Sequence, residues 1–231
     1  MAHVIFKNVD LKIPIYNKRL FSLKWGAEFS QNLVGTKKSK KNGKFFSNIL
    51  NNISFEVRDS DSVGILGHNG SGKTTLLKMI SGIYHPDNGT AEIFGKISPF
   101  LNIHSITKPD ATGYENIKIF WLYFEKISIL ENLIKQVEDF SELGEYLNLP
   151  IKTYSAGMLT RLFFAILINI ETDIVAIDEG ISTGDENFKK KADTQLDKYL
   201  DNKKIKFFAT HDTSFIRKYC NKLFIMKKGH L

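Results

Sequence analysis

The stretch Gly67-His68-Asn69-Gly70-Ser71-Gly72-Lys73-Thr74 matches the pattern G-x-x-x-x-G-K-[ST]. An apolar run, residues 63–66, precedes it, and a helical pattern begins at Lys73. Glycines let such a loop turn so that consecutive backbone N–H groups face phosphate oxygens, and the helix N-terminus adds a partial positive charge. Strand, loop and helix in this order predict a phosphate-binding loop.

Within this loop, two side chains have distinct predicted roles. Lys73 is expected to reach the β- and γ-phosphates of a nucleoside triphosphate, and the hydroxyl of Thr74 is expected to ligate Mg²⁺. The predicted phosphate-binding residues are Gly67, His68, Asn69, Gly70, Ser71, Gly72, Lys73, Thr74 and Thr75.

Two apolar strands further along the chain end in polar residues. The first ends at Asp178 and Glu179. Asp178 is predicted to hold Mg²⁺ through water, and Glu179 to orient and polarise the attacking water as a catalytic base. The second ends at His211, which is predicted to contact the γ-phosphate and to hold Glu179 and the water in place. Behind a phosphate loop, these strand ends favour hydrolysis of the bound triphosphate.

Hydrophobic periodicity places strands before and after a long helical middle section. The predicted strands are residues 4–13, 52–57, 62–66, 90–94, 173–177, 205–209 and 222–226, and the section 99–170 has mainly helical character. This order predicts a parallel-sheet core with an inserted helical lobe. The lysine-rich stretch at about 17–48 predicts a loop, either solvated or in contact with anionic lipid headgroups.

Composition narrows the class of protein. The chain has 231 residues, 42% of them hydrophobic, which excludes a disordered or collagen-like protein. The net charge of +7 is compatible with a phosphate-bearing partner but does not require nucleic acid. A single cysteine, Cys220, excludes a disulfide framework and a multi-cysteine zinc site. We find no membrane-spanning run and no signal peptide, so the sequence predicts a soluble cytoplasmic protein.

A further motif, Tyr154-Ser155-Ala156-Gly157-Met158, lies between the phosphate loop and Asp178. With it, nearly the whole chain resembles the nucleotide-binding subunit of an ABC transporter. Most members of that family have L-S-G-G-Q at this signature. The variant found here resembles the branch that exports polysaccharides such as the O-antigen of lipopolysaccharide, capsule and teichoic acid. Other features that resemble this branch are Arg161-Leu162, Pro99, Pro109, Thr112-Gly113, Glu115-Asn116-Ile117 and Gly184-Asp185.

The resemblance implies a fold. It is an α/β fold with a P-loop NTPase (RecA-like) core, which contains a parallel sheet and an N-terminal antiparallel β part, and with an inserted α-helical subdomain. The expected bounds within this single domain are 1–98 and 172–231 for the core and about 99–171 for the helical subdomain.

The resemblance also implies site residues. Ser155, Ala156 and Gly157 are expected at a helix N-terminus that binds the γ-phosphate of an ATP held by a second copy of the chain, in a head-to-tail homodimer. Tyr16 is expected to stack on adenine; Phe6 is the rival candidate, but strand alternation would bury it. Asn102 falls where the family usually has the glutamine of its Q-loop. Asp185 corresponds to the acidic end of the D-loop.

The function implied is ATP hydrolysis that powers export of a polysaccharide or lipid-linked glycan. The transport path would be a separate integral-membrane permease, with this subunit on the inner face of the plasma membrane. No nucleic acid is expected as a partner. The alternatives are a soluble ABC ATPase that acts on nucleic acid or ribosomes, and an exporter subunit for another substrate.

Two expectations concern the protein's boundaries and contacts. The chain ends shortly after its last predicted strand, so no carbohydrate-binding domain is expected within it. The permease is expected to bind in a groove of this chain at about residues 99–115. The apolar residues of this segment include Phe100, Leu101, Ile103 and Ile106. At least one of these should be exposed, and we take Ile103 and Ile106 as the candidate anchors.

Overall fold

The computed structural model describes residues 1–14, 38–41, 44–101, 103–124, 129–178 and 186–231. The strands in these ranges are β1 (His3–Pro14), β2 (Lys38–Lys41), β3 (Lys44–Arg58), β4 (Ser62–Leu66), β5 (Asn88–Phe94), β6 (Ile174–Asp178), β7 (Ile205–Ala209) and β8 (Lys222–Ile225). The helices are α1 (Lys73–Ile80), α2 (Ile103–Ile106), α3 (Gly113–Tyr123), α4 (Leu130–Ser141), α5 (Ala156–Leu167), α6 (Glu186–Asp201) and α7 (Thr213–Tyr219). Short 3₁₀ turns occupy Pro99–Leu101, Gly144–Asn148 and Ile151–Thr153.

The chain divides into two compact units, which are described separately. The first comprises Met1–Phe94 and Phe207–Leu231, and the second comprises Gly95–Lys206. Within the described ranges, no helix combines the length and the hydrophobicity needed to cross a membrane.

An antiparallel sheet in the order β2-β3-β1-β5 forms one part of the first unit. Val4 of β1 lies opposite Val57 of β3 and Ile93 of β5. Because alternate residues of a strand point to opposite faces, Val4 and Phe6 are both buried. The ring of Phe6 stacks on that of Phe55 at a centroid distance of 4.6 Å. The predicted burial of Phe6 is therefore confirmed.

In the second sheet of the first unit, β4 is the central strand. It has β8 on one side and residues 207–209 of β7 on the other. β4 and β8 are parallel, with Val63 opposite Lys222 and Leu66 opposite Ile225. Residues 62–65 of β4 are all buried, as is typical of a strand inside a parallel sheet. The α/β fold with a parallel sheet and an N-terminal antiparallel part is thus confirmed.

One part of the expected basic loop is a strand. Residues 38–41 form β2, and β3 begins at residue 44, where the sequence predicted a loop to about residue 48. β2 pairs antiparallel with β3, with residue 38 opposite residue 47. Lysine-rich segments are compatible with an edge strand, since charge there discourages pairing with other chains. β3 therefore starts earlier than local composition indicated.

Helices α2 to α5 of the second unit surround one hydrophobic core. Its most deeply buried members include Ile117, Phe120, Val137, Leu147, Leu162 and Ile166. They come from α3, α4, α5 and the 3₁₀ turn between α4 and α5, so the core fixes these elements against one another. The described part of the predicted helical stretch is therefore mainly helical.

Candidate nucleotide site

The phosphate loop connects β4 to α1 through glycines in unusual conformations. Gly70 and Gly72 have φ angles of +78° and +109°, which L side chains rarely adopt. Gly72 is also the N-cap of α1, and no side chain caps this helix end. Backbone N–H groups at the start of a helix point outward along its axis, and the helix dipole favours an anion there.

Tight packing at the start of the loop requires glycine at residue 67. A Cβ atom on Gly67 would lie 2.5 Å from both the Met226 carbonyl oxygen and the Ser71 hydroxyl. Ser71 is completely buried, and its hydroxyl oxygen has no hydrogen-bond partner among the described residues. Because buried hydroxyls are normally hydrogen-bonded, Ser71 is a donor suited to a phosphate oxygen.

Lys73 lies over this loop. Its side-chain nitrogen donates a hydrogen bond to the Gly67 carbonyl at 2.7 Å and a longer one to the His68 carbonyl at 3.4 Å. Lys73 is 8% exposed, and no carboxylate is among these contacts. A buried cation held by neutral carbonyls gains from an anionic ligand, so its setting matches the predicted phosphate contact.

The C-terminal segment supports the loop, which the sequence analysis did not predict. The backbone N–H of Met226 donates to the Leu66 carbonyl at 2.7 Å, and that of Gly229 donates to the Ser71 carbonyl at 3.0 Å. A Cβ atom on Gly229 would come within 2.4 Å of the Ile49 carbonyl oxygen. Lys228 and Gly229 adopt φ angles of +52° and +80° at this turn, and the glycine was the local sequence signal for it.

Asp178 and His211 lie at strand ends, as predicted. Asp178 is the last residue of β6, after four buried residues. His211 is exposed and is the second residue after the end of β7. The next residue, Asp212, caps α7 by accepting from the N–H groups of Ser214 and Phe215. Hydrogen bonds from the Ser214 hydroxyl and then from these N–H groups lower the pKa of Asp212, so the cap stays ionised beside His211.

The signature residues occupy the start of α5. Ser155 is the N-cap, and its hydroxyl oxygen accepts a hydrogen bond from the Met158 N–H at 3.2 Å. Residues 155–157 are exposed. A Cβ atom on Gly157 would have the Ser155 hydroxyl at 3.9 Å as its nearest neighbour among the described residues, so packing against them does not require glycine there. The predicted helix start at these residues is confirmed; their contact with ATP stays a prediction.

The Thr112-to-Asn116 motif fixes the approach to this helix. Asn116 is completely buried, and its side-chain amide donates to the carbonyls of Thr112, Lys108 and Ala111. The Ala111 carbonyl in turn accepts from the Ile151 N–H at 3.0 Å. A chain of hydrogen bonds thus joins α3 to the segment that leads into Ser155.

Gly113 and Tyr154 complete the same connection. A Cβ atom on Gly113 would lie 2.6 Å from the Tyr154 hydroxyl, so only glycine lets this tyrosine reach its place. That hydroxyl donates to the Tyr146 carbonyl at 2.6 Å, and burial raises the pKa of Tyr154. Residues that resembled a branch motif therefore have a structural role that the sequence alone did not show.

Four predicted site residues lie outside the described residues: Tyr16, Asn102, Glu179 and Asp185. Of the others, the phosphate loop and His211 belong to the first unit, and Asp178 and the signature residues belong to the second.

The choice of Ile103 and Ile106 as exposed anchors is wrong. Each is only 7% exposed, and both belong to the core of the second unit. They are three residues apart on α2 and therefore share one helix face, which packs inward. The exposed apolar side chains nearby are Leu122 and Tyr123, at 53% and 58%. Together with Ser105, Ile106 and Ile119 they line a cavity of about 450 Å³.

Comparison with known proteins agrees with this site. The family model described as ABC transporter matches residues 50–182. The O-antigen export system ATP-binding protein RfbE of Yersinia enterocolitica is 37% identical over 99% of this chain and 96% of its own length. The teichoic acids export ATP-binding protein TagH of Bacillus anthracis is also 37% identical over 99% of this chain, which spans 40% of TagH. For the O-antigen export system ATP-binding protein RfbB of Myxococcus xanthus the identity is 34%, over 96% of this chain and 50% of RfbB.

A solved structure has the same fold. The ATP-binding cassette MJ0796, a dimer in a post-hydrolysis state bound to ADP and Pi, superposes with a TM-score of 0.69 at 19% identity, covering 99% of this chain and 96% of that one. The family match spans the loop at 67–74, the signature at 155–157 and the strand that ends at Asp178. With more than a third of residues identical to RfbE over nearly the full length, the chain belongs to the ABC transporter family, among its ATP-binding proteins.

Proposed function

We propose that this ABC ATPase powers export of a polysaccharide or lipid-linked glycan through a separate membrane permease. The observation that carries the proposal is the match to RfbE over almost the whole of both chains, together with the loop geometry around Lys73. RfbE, RfbB and TagH are named for export of O-antigen or teichoic acids. The subunit would act at the inner face of the plasma membrane.

Deletion of the gene in its host tests this proposal. Loss of the surface glycan, with the completed glycan retained inside the cell, is the expected phenotype. A complementing copy with an intact phosphate loop should restore export. Normal surface glycan in the deletion strain would contradict glycan export. Purification with ribosomes or nucleic acid instead of a membrane protein would support the soluble alternative.

In the ATP site, we assign a separate role to each of this chain's predicted residues. Gly67 to Thr75 bind the triphosphate, with Lys73 at the β- and γ-phosphates. Thr74 and Asp178 would hold Mg²⁺, which supplies positive charge to the phosphates. Glu179 accepts a proton from the attacking water. His211 holds Glu179 and that water in place. Tyr16 stacks on adenine, while Asn102 and Asp185 take the Q-loop and D-loop positions.

A second copy of the chain completes each site in this proposal. The N-terminus of α5 is exposed at residues 155–157, and among the described residues only the Ser155 hydroxyl comes within 4 Å of a Cβ atom placed on Gly157. Such an end binds anions, and here the anion is the γ-phosphate held by the other copy. The helical subdomain that carries this end would span about residues 99–171.

Ser155→Arg tests the shared site. We expect binding of ATP by one chain to persist, because Ser155 lies outside the phosphate loop. The arginine would occupy the space that the partner's γ-phosphate needs, so ATP-driven dimerisation should be lost. Light scattering with ATP, on a variant that cannot hydrolyse it, measures this. Thr153→Arg is a matched control, since Thr153 is exposed just before the signature. Unimpaired dimerisation of Ser155→Arg would contradict the role of Ser155.

The permease surface is better assigned to the end of α3 than to α2. The cavity of about 450 Å³ has exposed Leu122 and Tyr123 on its rim and buried Ile106 at its wall. An exposed aliphatic and aromatic pair beside a concave surface suits an apolar helix of a partner, which fills the cavity with side chains. We therefore propose that the permease docks here.

Tyr123→Glu tests this surface. A charge in the docking surface should weaken binding of the permease about tenfold or more, since charged groups without a partner are costly to bury. Basal ATP hydrolysis should be unchanged, because Tyr123 is largely exposed. Pull-down of the permease and phosphate release would be measured on the same variant. Tyr146→Glu is the matched control, as Tyr146 is a tyrosine with 56% exposure elsewhere in the second unit. Equal permease binding by both variants would remove α3 from the interface.

A further inference from the structure

Lys191 of α6 closes the C-terminal end of α4. Its ammonium group donates to the carbonyls of Asp139 and Phe140 at 3.2 and 3.1 Å. The last carbonyls of a helix have no partner within it, and they carry the negative end of the helix dipole. A cation at this position therefore stabilises the helix end and attaches α6 to it.

Glu142 connects this lysine to the signature helix. Its carboxylate forms an ion pair with Lys191 and lies 3.8 Å from the Arg161 guanidinium of α5. The side chain of Arg161 is 24% exposed and that of Glu142 is 57% exposed, so the pair lies at the edge of the junction, where solvent still screens it in part. One carboxylate is thus shared between cations from two helices.

An aromatic contact reinforces the same junction. The Arg161 guanidinium lies over the ring of Phe188, 4.6 Å from its centroid. Phe188 is 3% exposed and meets the ring of Phe140 edge-on at 5.5 Å. Phe188 and Lys191 lie three residues apart on α6 and therefore on one face. We name the group Phe140, Glu142, Arg161, Phe188 and Lys191 the helix clasp.

We propose that Arg161 and Lys191 are positioning residues that hold the signature helix in its orientation toward the ATP of the other copy. The proposal rests on the shared site proposed above. α5 begins within the signature, at Ala156, five residues before Arg161, and α6 begins directly after Asp185, the predicted D-loop residue. The helix clasp thus joins the two segments expected to face the partner. Small displacements of groups that stabilise a transition state lower the rate strongly, so loosening the clasp should slow hydrolysis.

The test variant is Lys191→Met, which keeps an unbranched side chain only one heavy atom shorter and removes the charge and the hydrogen bonds. We expect kcat for ATP hydrolysis to fall about tenfold, with KM for ATP changed less than about twofold because the phosphate loop is untouched. Lys191→Arg should restore most of kcat, since arginine can reach the same carbonyls and carboxylate. Lys190→Met is the control, because Lys190 is an exposed neighbour on α6.

A purely structural role would give a different result. Thermal unfolding of Lys191→Met would then shift while kcat at a temperature well below the transition stayed normal, and that outcome overturns the proposal. Equal kcat values for Lys191→Met and Lys190→Met also overturn it. Glu142→Gln is a milder second variant if Lys191→Met does not fold, and its kcat should fall as well. Ser155→Arg in the same assay separates the two proposals: normal hydrolysis by that variant refutes the shared site itself.

Discussion

Lys73→Ala is expected to lose productive ATP binding and to lower ATP hydrolysis by at least about a hundredfold, the effect typical of removing one stabilising charge at a reacting phosphate. The reason is electrostatic. The ammonium group belongs to a buried side chain and donates hydrogen bonds to the neutral carbonyls of Gly67, at 2.7 Å, and His68. Alanine leaves the triphosphate without this charge. Calorimetric titration with ATP and release of phosphate would measure the two losses.

A suitable control for this variant lies on the same helix. Lys78→Ala also removes one lysine from α1, but in its last turn, at the end away from the loop. It should bind and hydrolyse ATP normally. Circular dichroism must show the same helix content in both variants, because Lys73 also holds the loop together through carbonyls. Unchanged ATPase activity of Lys73→Ala would refute the phosphate-loop assignment.

Local sequence was sufficient to predict the bounds of a strand or helix where the signal lies in adjacent residues. The predicted strand at 62–66 has the bounds of β4, and the predicted helix start at Lys73 is that of α1. Both follow from an apolar run and the glycine-rich segment directly after it, a signal contained within a dozen residues. The same holds for Ser155, since a serine with a helical pattern behind it is a typical N-cap.

Long-range pairing explains what the sequence did not predict. β2 is stabilised by hydrogen bonds to β3 and not by its own lysine-rich composition. An apolar residue such as Ile103 or Ile106 suits both a buried core and an exposed docking surface. Only the packing of α2 decides that the two are buried. The support of the phosphate loop by Gly229 joins residues more than 150 positions apart in the chain, which no local pattern can reveal.

The motif at Thr112 to Asn116 shows how family resemblance and structure complement each other. The Thr112 hydroxyl accepts from the Glu115 N–H, and the Glu115 carboxylate accepts from the Thr112 N–H, so the pair forms a capping box. With Asn116 bonded to the preceding loop, the start of α3 is fixed in place. The resemblance identified these residues, and the hydrogen bonds give the physical reason for them.

Glu179→Gln is expected to bind ATP as the natural chain does and to lose hydrolysis by about a thousandfold, within the range for removal of a general base. Glutamine has nearly the same shape as glutamate but cannot take a proton from water at neutral pH. The residue directly follows Asp178, which ends a strand buried along residues 174–177. Because binding persists without turnover, the ATP-bound dimer should accumulate.

Gel filtration with and without ATP measures this accumulation, and release of phosphate from the same sample measures turnover. Glu171→Gln is the control, since Glu171 is an exposed glutamate that precedes β6 at its other end. This control variant should have the same oligomeric state as the unaltered chain, with and without ATP, and should hydrolyse ATP normally. Turnover by Glu179→Gln at the natural rate would exclude Glu179 as the base. Lost turnover with no ATP-dependent dimer would retain the base but contradict the sandwich of two chains, because a trapped triphosphate should then hold both copies together.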